Sequence, residues 1–551
     1  MKLYFSQGIE QLPKKVLILL SGLLVIPTAS ATMAEQCQQL KGKSVLNGVI
    51  TDAHWVKEGL SKLDPQRLMT GAPNRQFKLP SHCLISGYVS KRMGENQKLY
   101  ALRYQLRLPR HWNQKFIFQG GGGNDGFITG AFGTIPLYGS TALPALSRNY
   151  AVVSMNGGHD GLGAEFGLDQ QARLDYAYAA IGKVTQTAKL IIRQYYQHPP
   201  KHSFFMGCSN GGREAMIAAQ RYPTEFDGVV AANPGFNLSH ASIAEVWDTQ
   251  ALYKIAPKDI QGRKILANAL IPSDLKLLKN SILAQCDQLD GVKDGIINAY
   301  NRCHYDPTIL ECHSGQTTHC LSSEKVAALK QIFNGAKDPR SGKPLYSDWP
   351  YDAGVDTDGW RMWKLGFSQD ALHPDSFNEA MGMKSVQYYF MTPPAPNVSL
   401  QQFSFTTDTP EIRETSALND ATSTMLSTFS HRGKLIIIQG ISDPVFSAND
   451  IKKWYEKTKE DTSNGNLKAL QQWSRLFMVP GMNHCGGGPA LDNIDPLTAL
   501  ENWVEKSKAP DYLAAKGKAF PGKEQPLCPY PQTTQYNGSG NINDIHSYHC
   551  Q

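Results

Sequence analysis

Phe204-Phe205-Met206 runs directly into Gly207-Cys208-Ser209-Asn210-Gly211-Gly212, and a stretch of helix formers, Arg213 to Arg221, follows. An apolar run, then G-x-S-x-G, then a helix predicts a serine on a sharp strand-to-helix turn, its Oγ lifted clear of a sheet. The glycines allow the tight backbone and leave room where strand and helix pass. The plain alternative is a Gly-rich turn with an incidental serine. A strand of the right length before and about three turns of helix after argue against it.

A nucleophilic serine needs a base and a group to orient that base. In α/β-hydrolases the order is serine, acid, histidine. Lys434-Leu435-Ile436-Ile437-Ile438-Gln439-Gly440 reads as a buried strand, and Ile441-Ser442-Asp443-Pro444 follows it. Leu476-Phe477-Met478-Val479-Pro480 is another, followed by Gly481-Met482-Asn483-His484-Cys485-Gly486. Ser209, Asp443 and His484 thus occupy strand-end loops in the required order. Cys208 and Cys485 adjoin the serine and the histidine. If those two residues share a hydrogen bond, their neighbours come close to the ~4.4–6.8 Å Cα separation that a disulfide needs.

Cys208-Ser209, Asp443 and His484-Cys485 together resemble the CS-D-HC arrangement of the tannase/feruloyl esterase family of α/β-hydrolases, which includes the mono(2-hydroxyethyl) terephthalate hydrolases. The likeness extends through Gly120-Gly121-Gly122-Gly123, Asn156-Gly157-Gly158-His159-Asp160, the Asp-rich run at 287–296 and Pro480-Gly481-Met482-Asn483-His484-Cys485, in family order. The resemblance implies an α/β-hydrolase core with a large inserted lid, and hydrolysis of an ester of an aromatic acid.

Lys14 and Lys15 precede the apolar stretch Val16 to Ile26, and Ala29-Ser30-Ala31 follows. A positive flank, a short apolar run and A-x-A predict a secretory signal peptide over 1–31. The alternative, an uncleaved anchor, is disfavoured by the shortness of the run. No other run of 18 apolar residues occurs, so no membrane association is expected after cleavage. The formal charge is +7 for 551 residues, without a dense Lys/Arg stripe, which leaves nucleic-acid binding unsupported. Ten cysteines, an even number, read as disulfides in an exported protein. Spacing does not give their connectivity. With Cys208–Cys485 set by the serine and histidine, the family pattern implies Cys37–Cys83, Cys286–Cys303, Cys312–Cys320 and Cys528–Cys550.

Taken in order, residues 32–235 are expected to form the first part of the core, 236–420 the lid and 421–551 the second part of the core. Residues 32–82 read as a helix or two with a Pro- and Asn-rich connection. Cys83 to Ser90 and Leu99 to Leu108 read as paired strands, the second with Tyr100, Leu102, Tyr104, Leu106 and Leu108 buried and Arg103, Gln105 and Arg107 wet. Lys115 to Gln119 is a third strand, ending at the four glycines, where α/β-hydrolases place half of the oxyanion hole. Gly123 is the expected N–H donor by its place in the motif, with Gly121 and Gly122 as alternatives, and the N–H of Asn210 is the second. A phosphate-binding loop is the rival reading, but the Gly-Lys-Ser/Thr it requires is missing. His159 precedes the serine, the wrong order for a catalytic base here, and reads as structural or pocket-lining.

Cys286-Asp287-Gln288-Leu289-Asp290-Gly291-Val292-Lys293-Asp294-Gly295-Ile296 offers hard oxygen donors between glycine bends, a composition that suits Ca²⁺. A solvated acidic loop is the alternative. The resemblance implies structural calcium held by Asp287, Asp290 and Asp294 side chains and the Val292 and Ile296 carbonyls. By motif it places Trp363 at the substrate; Phe446, three residues past Asp443, is a second candidate. The terephthalate-monoester branch uses a lid arginine to hold its substrate's free carboxylate. Between Leu372 and Met383, where it is expected, there is no Arg or Lys. The expected partner is a small aromatic ester, feruloyl, galloyl or related. The alternatives are a terephthalate-monoester hydrolase, a peptidase or acyltransferase using the same residues, and a non-enzymatic binding module. The sequence leaves the oligomeric state open.

Overall fold

Ten strands form one sheet: β1 Ser44–Val45, β2 Gly48–Val56, β3 His82–Met93, β4 Leu99–Pro109, β5 Lys115–Gln119, β6 Ala151–Met155, β7 His202–Ser209, β8 Gly228–Pro234, β9 Lys434–Gly440 and β10 Ser474–Val479. The computed structural model describes residues 32–63, 75–95 and 97–551, so the expected signal peptide at 1–31 lies outside the described residues. Strand order across the sheet is β1-β2-β3-β4-β6-β5-β7-β8-β9-β10. The first four strands pair antiparallel, β4 meets β6 antiparallel, and β5 to β10 are mutually parallel.

The parallel half is covered on both faces, which is why its strands are apolar throughout. Along β9, Leu435 and Ile437 enter one core, together with Ile191 and Ile217 from helices Ala180–Tyr196 and Asn210–Arg221. Ile436 and Ile438 enter the other, with Leu497, Leu500 and Trp503 of the helix Pro496–Lys506. β8 and β9 are adjacent and parallel, yet residues 235–433 lie between them and add no strand to the sheet. That insertion packs its own core, including Leu252, Leu278, Ile282 and Leu329. Val445 and Phe446, from the loop after β9, belong to the same cluster. The insertion is therefore packed onto a loop at the carboxyl edge of the sheet.

Two expectations need correction. Among the described residues of 32–82, the helix Met33–Gln38 is accompanied by the strands β1 and β2, which the reading of helix and connection did not include; β2 buries Gly48, Ile50 and Ala53 against the sheet. Arg107 is not on a wet face. It is 8 % exposed, with Nε donating to the Gly130 carbonyl and the guanidinium against His82 Nε2. At the end of the chain, Leu513–Gly517 with Phe520–Leu527, and Thr534–Tyr536 with Tyr548–Cys550, form two separate small sheets, and Leu513, Ala515 and Leu527 pack into the core beside Ile436 and Ile438.

Candidate active site

Ser209 ends β7 with φ +63° and ψ −128°, a conformation that costs a non-glycine residue of order 1–3 kcal/mol. The close approach of helix to strand holds it there. A Cβ on Gly207 would fall 2.4 Å from the Gly211 carbonyl oxygen, and one on Gly211 would fall 2.5 Å from that of Gly121. Both glycines are therefore required by packing.

Parallel register brings the other two loops to the same edge. Ser209 lies opposite Pro234, and Gly440 opposite Val479, so the chain leaves β9 and β10 beside the serine. His484 Nε2 is 2.8 Å from Ser209 Oγ. Its Nδ1 is 3.0 and 3.2 Å from the two Asp443 oxygens. A carboxylate only accepts, so the imidazole proton sits on Nδ1, and Nε2 accepts from the serine hydroxyl. Asp443 is buried. Its Oδ1 accepts from the Val445 N–H (2.8 Å) and its Oδ2 from Asn233 Nδ2 (2.7 Å). Those donors fix the plane of the carboxylate.

All ten cysteines pair, in five disulfides: Cys37–Cys83, Cys208–Cys485, Cys286–Cys303, Cys312–Cys320 and Cys528–Cys550. The second ties β7 to the histidine loop with Cα atoms 6.0 Å apart. Asp352, from the insertion, is a further tie that the sequence did not reveal. Its Oδ2 accepts from Ser442 Oγ (2.7 Å) and the Gly481 N–H (2.6 Å), joining the acid loop to the histidine loop. Nothing in the local sequence around Asp352 signals this.

Behind the serine, the glycine loop lies against helix Asn210–Arg221. The Gly121 N–H donates to Glu214 Oε2 at 2.9 Å, so that N–H points away from the serine. Gly123 and Asn210 line the cavity that also contains Ser209. Asn210 Nδ2 donates to Asp125, and Arg213 Nε donates to Asn210 Oδ1. Burial, with the charge of Glu214 next, pushes the Asp125 carboxyl well above the usual range; burial likewise raises Glu214. Two buried carboxyls so close together resist ionising at the same time. The pair fixes the glycine loop on one side and Asn210 on the other.

Trp363 and Phe446 are both present at the site, each with its ring 5.3 Å from the His484 ring. Two spaces flank them. A cleft of about 560 Å³, bounded by Tyr138, Trp363, Phe377 and His484, carries Arg75 and Lys518 on its walls. On the serine side is a cavity of only about 30 Å³, too small for an aromatic ring. Met381 narrows it: its Cε is 3.7 Å from where a Gly123 Cβ would sit. A flexible thioether can swing aside for a ring.

His159 is 1 % exposed, donates through Nε2 to the Asn124 carbonyl (2.8 Å) and stacks on Phe166. Bound to a carbonyl, that nitrogen carries the proton. Burial lowers its pKa to about 4, so it stays neutral and structural. In the Asp-rich loop, the carboxylates turn to N–H donors. Asp287 takes the Gly295 N–H (3.0 Å), Asp290 takes Asn298 Nδ2 (2.9 Å), and Asp294 takes Lys523 Nζ (2.9 Å) from the first C-terminal hairpin. Val292 and Ile296 lie on the same loop, and the Ile296 carbonyl accepts from Asn298 N–H. Burial raises Asp290 to about 6, with the charge of Asp294 adding to it. Among the described residues, no group of three or more His, Cys, Asp or Glu side chains is gathered to hold a metal ion. The donor chemistry of the loop fits Ca²⁺; its side chains are engaged with protein donors.

A strained serine at the carboxyl edge of a parallel sheet, hydrogen-bonded through histidine to a buried aspartate, defines an α/β protein of the hydrolase class. Residues 87–551 match the family described as tannase and feruloyl esterase. The chain is 38 % identical over 521 residues to a mono(2-hydroxyethyl) terephthalate hydrolase from Piscinibacter sakaiensis, covering 86 % of this chain and 85 % of that one. It is 26 % identical to feruloyl esterase C from Talaromyces stipitatus, covering 94 % of both. Feruloyl esterase B from Aspergillus oryzae has the same fold, with a TM-score of 0.77 at 22 % identity over 94 % of this chain and 100 % of that one. The chain belongs to the tannase and feruloyl esterase family and is a carboxylic ester hydrolase.

Proposed function

We propose that this protein is an exported serine esterase that cleaves esters of aromatic acids. The observation that carries the reading is the hydrogen-bonded chain Ser209–His484–Asp443. Ser209 attacks the ester carbonyl while His484 Nε2 takes its proton. The N–H groups of Gly123 and Asn210 receive the oxyanion. The same nitrogen then returns the proton to the departing alkoxide, so the alcohol lies on the histidine side, in the larger cleft. The acyl group lies in the inner cavity. Water, activated by His484, releases the acid, and Asp443 stabilises each imidazolium. The 1–31 leader and five disulfides support export to the periplasm or beyond. No helix among the described residues is long and apolar enough to cross a membrane.

The second reading, a terephthalate-monoester hydrolase, is favoured by the 38 % identical relative. The segment Leu372 to Met383 supplies Met381 and Gly382 to the cavity and contains no Arg or Lys, which favours the first. Hydrolysis rates of methyl ferulate, methyl gallate and mono(2-hydroxyethyl) terephthalate by the purified enzyme test this directly. The first reading expects the highest kcat/KM on a phenolic ester; a preference for the terephthalate monoester would establish the second.

The Asp-rich loop is proposed to hold structural Ca²⁺ through Asp287, Asp290 and Asp294, with the Val292 and Ile296 carbonyls. Such an ion would offset the burial that raises Asp290. At 100 times its dissociation constant it would contribute about 2.7 kcal/mol. Excess chelator is therefore expected to lower Tm, and elemental analysis to find about one calcium per chain by this reading. A Tm indifferent to chelator, with no metal found, would leave a self-satisfied acidic loop.

A further inference from the structure

The inner cavity is walled largely by apolar side chains, among them Met381, Phe390, Val445 and Phe446. The helix Leu238–Ile255 interrupts that wall with two polar side chains one turn apart, Ser242 and Glu245. They are 2 % and 5 % exposed. Neither side chain has a hydrogen-bond partner among the described residues. The Glu245 carboxyl has room because residue 382 is a glycine: a Cβ there would fall 1.9 Å from its Oε2.

Charge balance settles what Glu245 offers. The cation beside it, Lys364, is ion-paired with Asp248, both fully buried. Asp443 is a further negative charge acting on the same carboxyl. Burial is the largest influence, Lys364 opposes it, and Asp248 and Asp443 add to it, so that the carboxyl is pushed up to about 8. At neutral pH Glu245 is therefore an uncharged acid with an O–H to give. Ser242 beside it can both give and accept. A buried donor left unpaired is destabilising, and a ligand oxygen would recover that loss.

We propose that Ser242 and Glu245 form a subsite for the ring substituent of the acyl group, selecting aromatic acids that carry a neutral hydroxyl or methoxyl. This rests on the reading that the inner cavity takes the acyl group. A ring oxygen accepts from Glu245 and, where it is a hydroxyl, donates to Ser242. An alkyl substituent of the same size leaves both groups unpaired. A carboxylate would add a buried negative charge beside Asp443 and Asp248, where Lys364 is already paired.

The test compares esters matched in size: methyl 4-hydroxycinnamate with methyl 4-methylcinnamate, and the corresponding benzoates and 3-substituted isomers, near pH 6.5 where the phenol is neutral. The full-length enzyme is expected to favour the hydroxylated ester by about tenfold or more in kcat/KM. Glu245→Leu should bring that ratio close to unity, Ser242→Ala should reduce it, and Glu245→Gln, whose amide can still donate, should retain most of it. A wild-type enzyme that turns over both esters without preference, or a preference that survives Glu245→Leu, overturns the subsite and leaves the acyl-pocket reading standing. A wild-type enzyme that cleaves no aromatic ester overturns both. If Glu245→Leu does not fold, the wild-type ratio and the smaller change Ser242→Ala still decide.

Discussion

Ser209→Ala is expected to lower kcat on every ester the enzyme turns over by about 10⁴-fold or more, with Tm little changed. The substitution removes only Oγ. Backbone strain at φ +63° is the same for alanine, and the packing that imposes it, Gly207 and Gly211 against each other and against Gly121, is untouched. What is lost is the nucleophile and its 2.8 Å bond to His484. Binding and the oxyanion donors remain, so a residual rate above water is expected, but far below the parent. Labelling of the parent by an organophosphonate should add one adduct at Ser209, absent in the variant. Activity above a thousandth of the parent's would mean that another group attacks the carbonyl. The adduct would then appear elsewhere, and the elbow would be structural only.

The elbow, the acid loop and the histidine loop were legible because each is local: an apolar run gives the strand, and the chemistry sits within five residues of its end. Parallel pairing then does the rest, since strands in register deliver their carboxyl ends to one edge. Residues whose roles come from tertiary placement left no such trace. Asp125 lies just past the four glycines and reads as loop polarity; only its contact with Asn210, 85 positions on, gives it a task. Asp352 sits in the insertion and meets Ser442 and Gly481 across about a hundred residues. Glu245 is on a helix whose neighbours Ile243, Ala244 and Val246 are all buried, and a glutamate there reads as the exposed face. Arg107 fits the alternation of β4 as a wet position. The Gly130 carbonyl and His82, both distant in sequence, are what take it inside. The hairpins of 513–550 escaped for a similar reason: their short strands form ladders with one another, and they reach the rest of the molecule through the Lys516 bridge to Asn493 and contacts such as Lys523 with Asp294.

Replacing both Cys208 and Cys485 by alanine is expected to reduce kcat by about 10²-fold in a protein that still folds. The bond spans 277 positions, and the chain-entropy argument assigns such a loop about 5.6 kcal/mol, so a lower Tm is expected as well. The measurements must therefore be made well below the variant's Tm, with circular dichroism showing the native fold. The catalytic loss then has its own cause. The histidine loop has other anchors: Asn483 Nδ2 donates to the Gly354 and Ser442 carbonyls at 3.1 Å, and the Tyr138 N–H donates to the Cys485 carbonyl at 2.8 Å. All of these fasten it to the insertion, the acid loop or the segment near Tyr138. None fastens it to β7. The disulfide is the covalent link from His484's neighbour to Ser209's neighbour; without it their separation is held by hydrogen bonds, the His484–Ser209 bond itself and that of Asn233 Nδ2 on β8 to the Asn483 carbonyl. A displacement of about 1 Å between base and nucleophile suffices for a loss of that size. Cys312→Ala/Cys320→Ala, which opens an exposed loop spanning 8 positions, serves as the control and should leave kcat near the parent value. A kcat within about threefold of the parent after removal of Cys208–Cys485 would mean that the hydrogen bonds of Asn483 and Cys485 position the base by themselves, and that the disulfide contributes to stability alone.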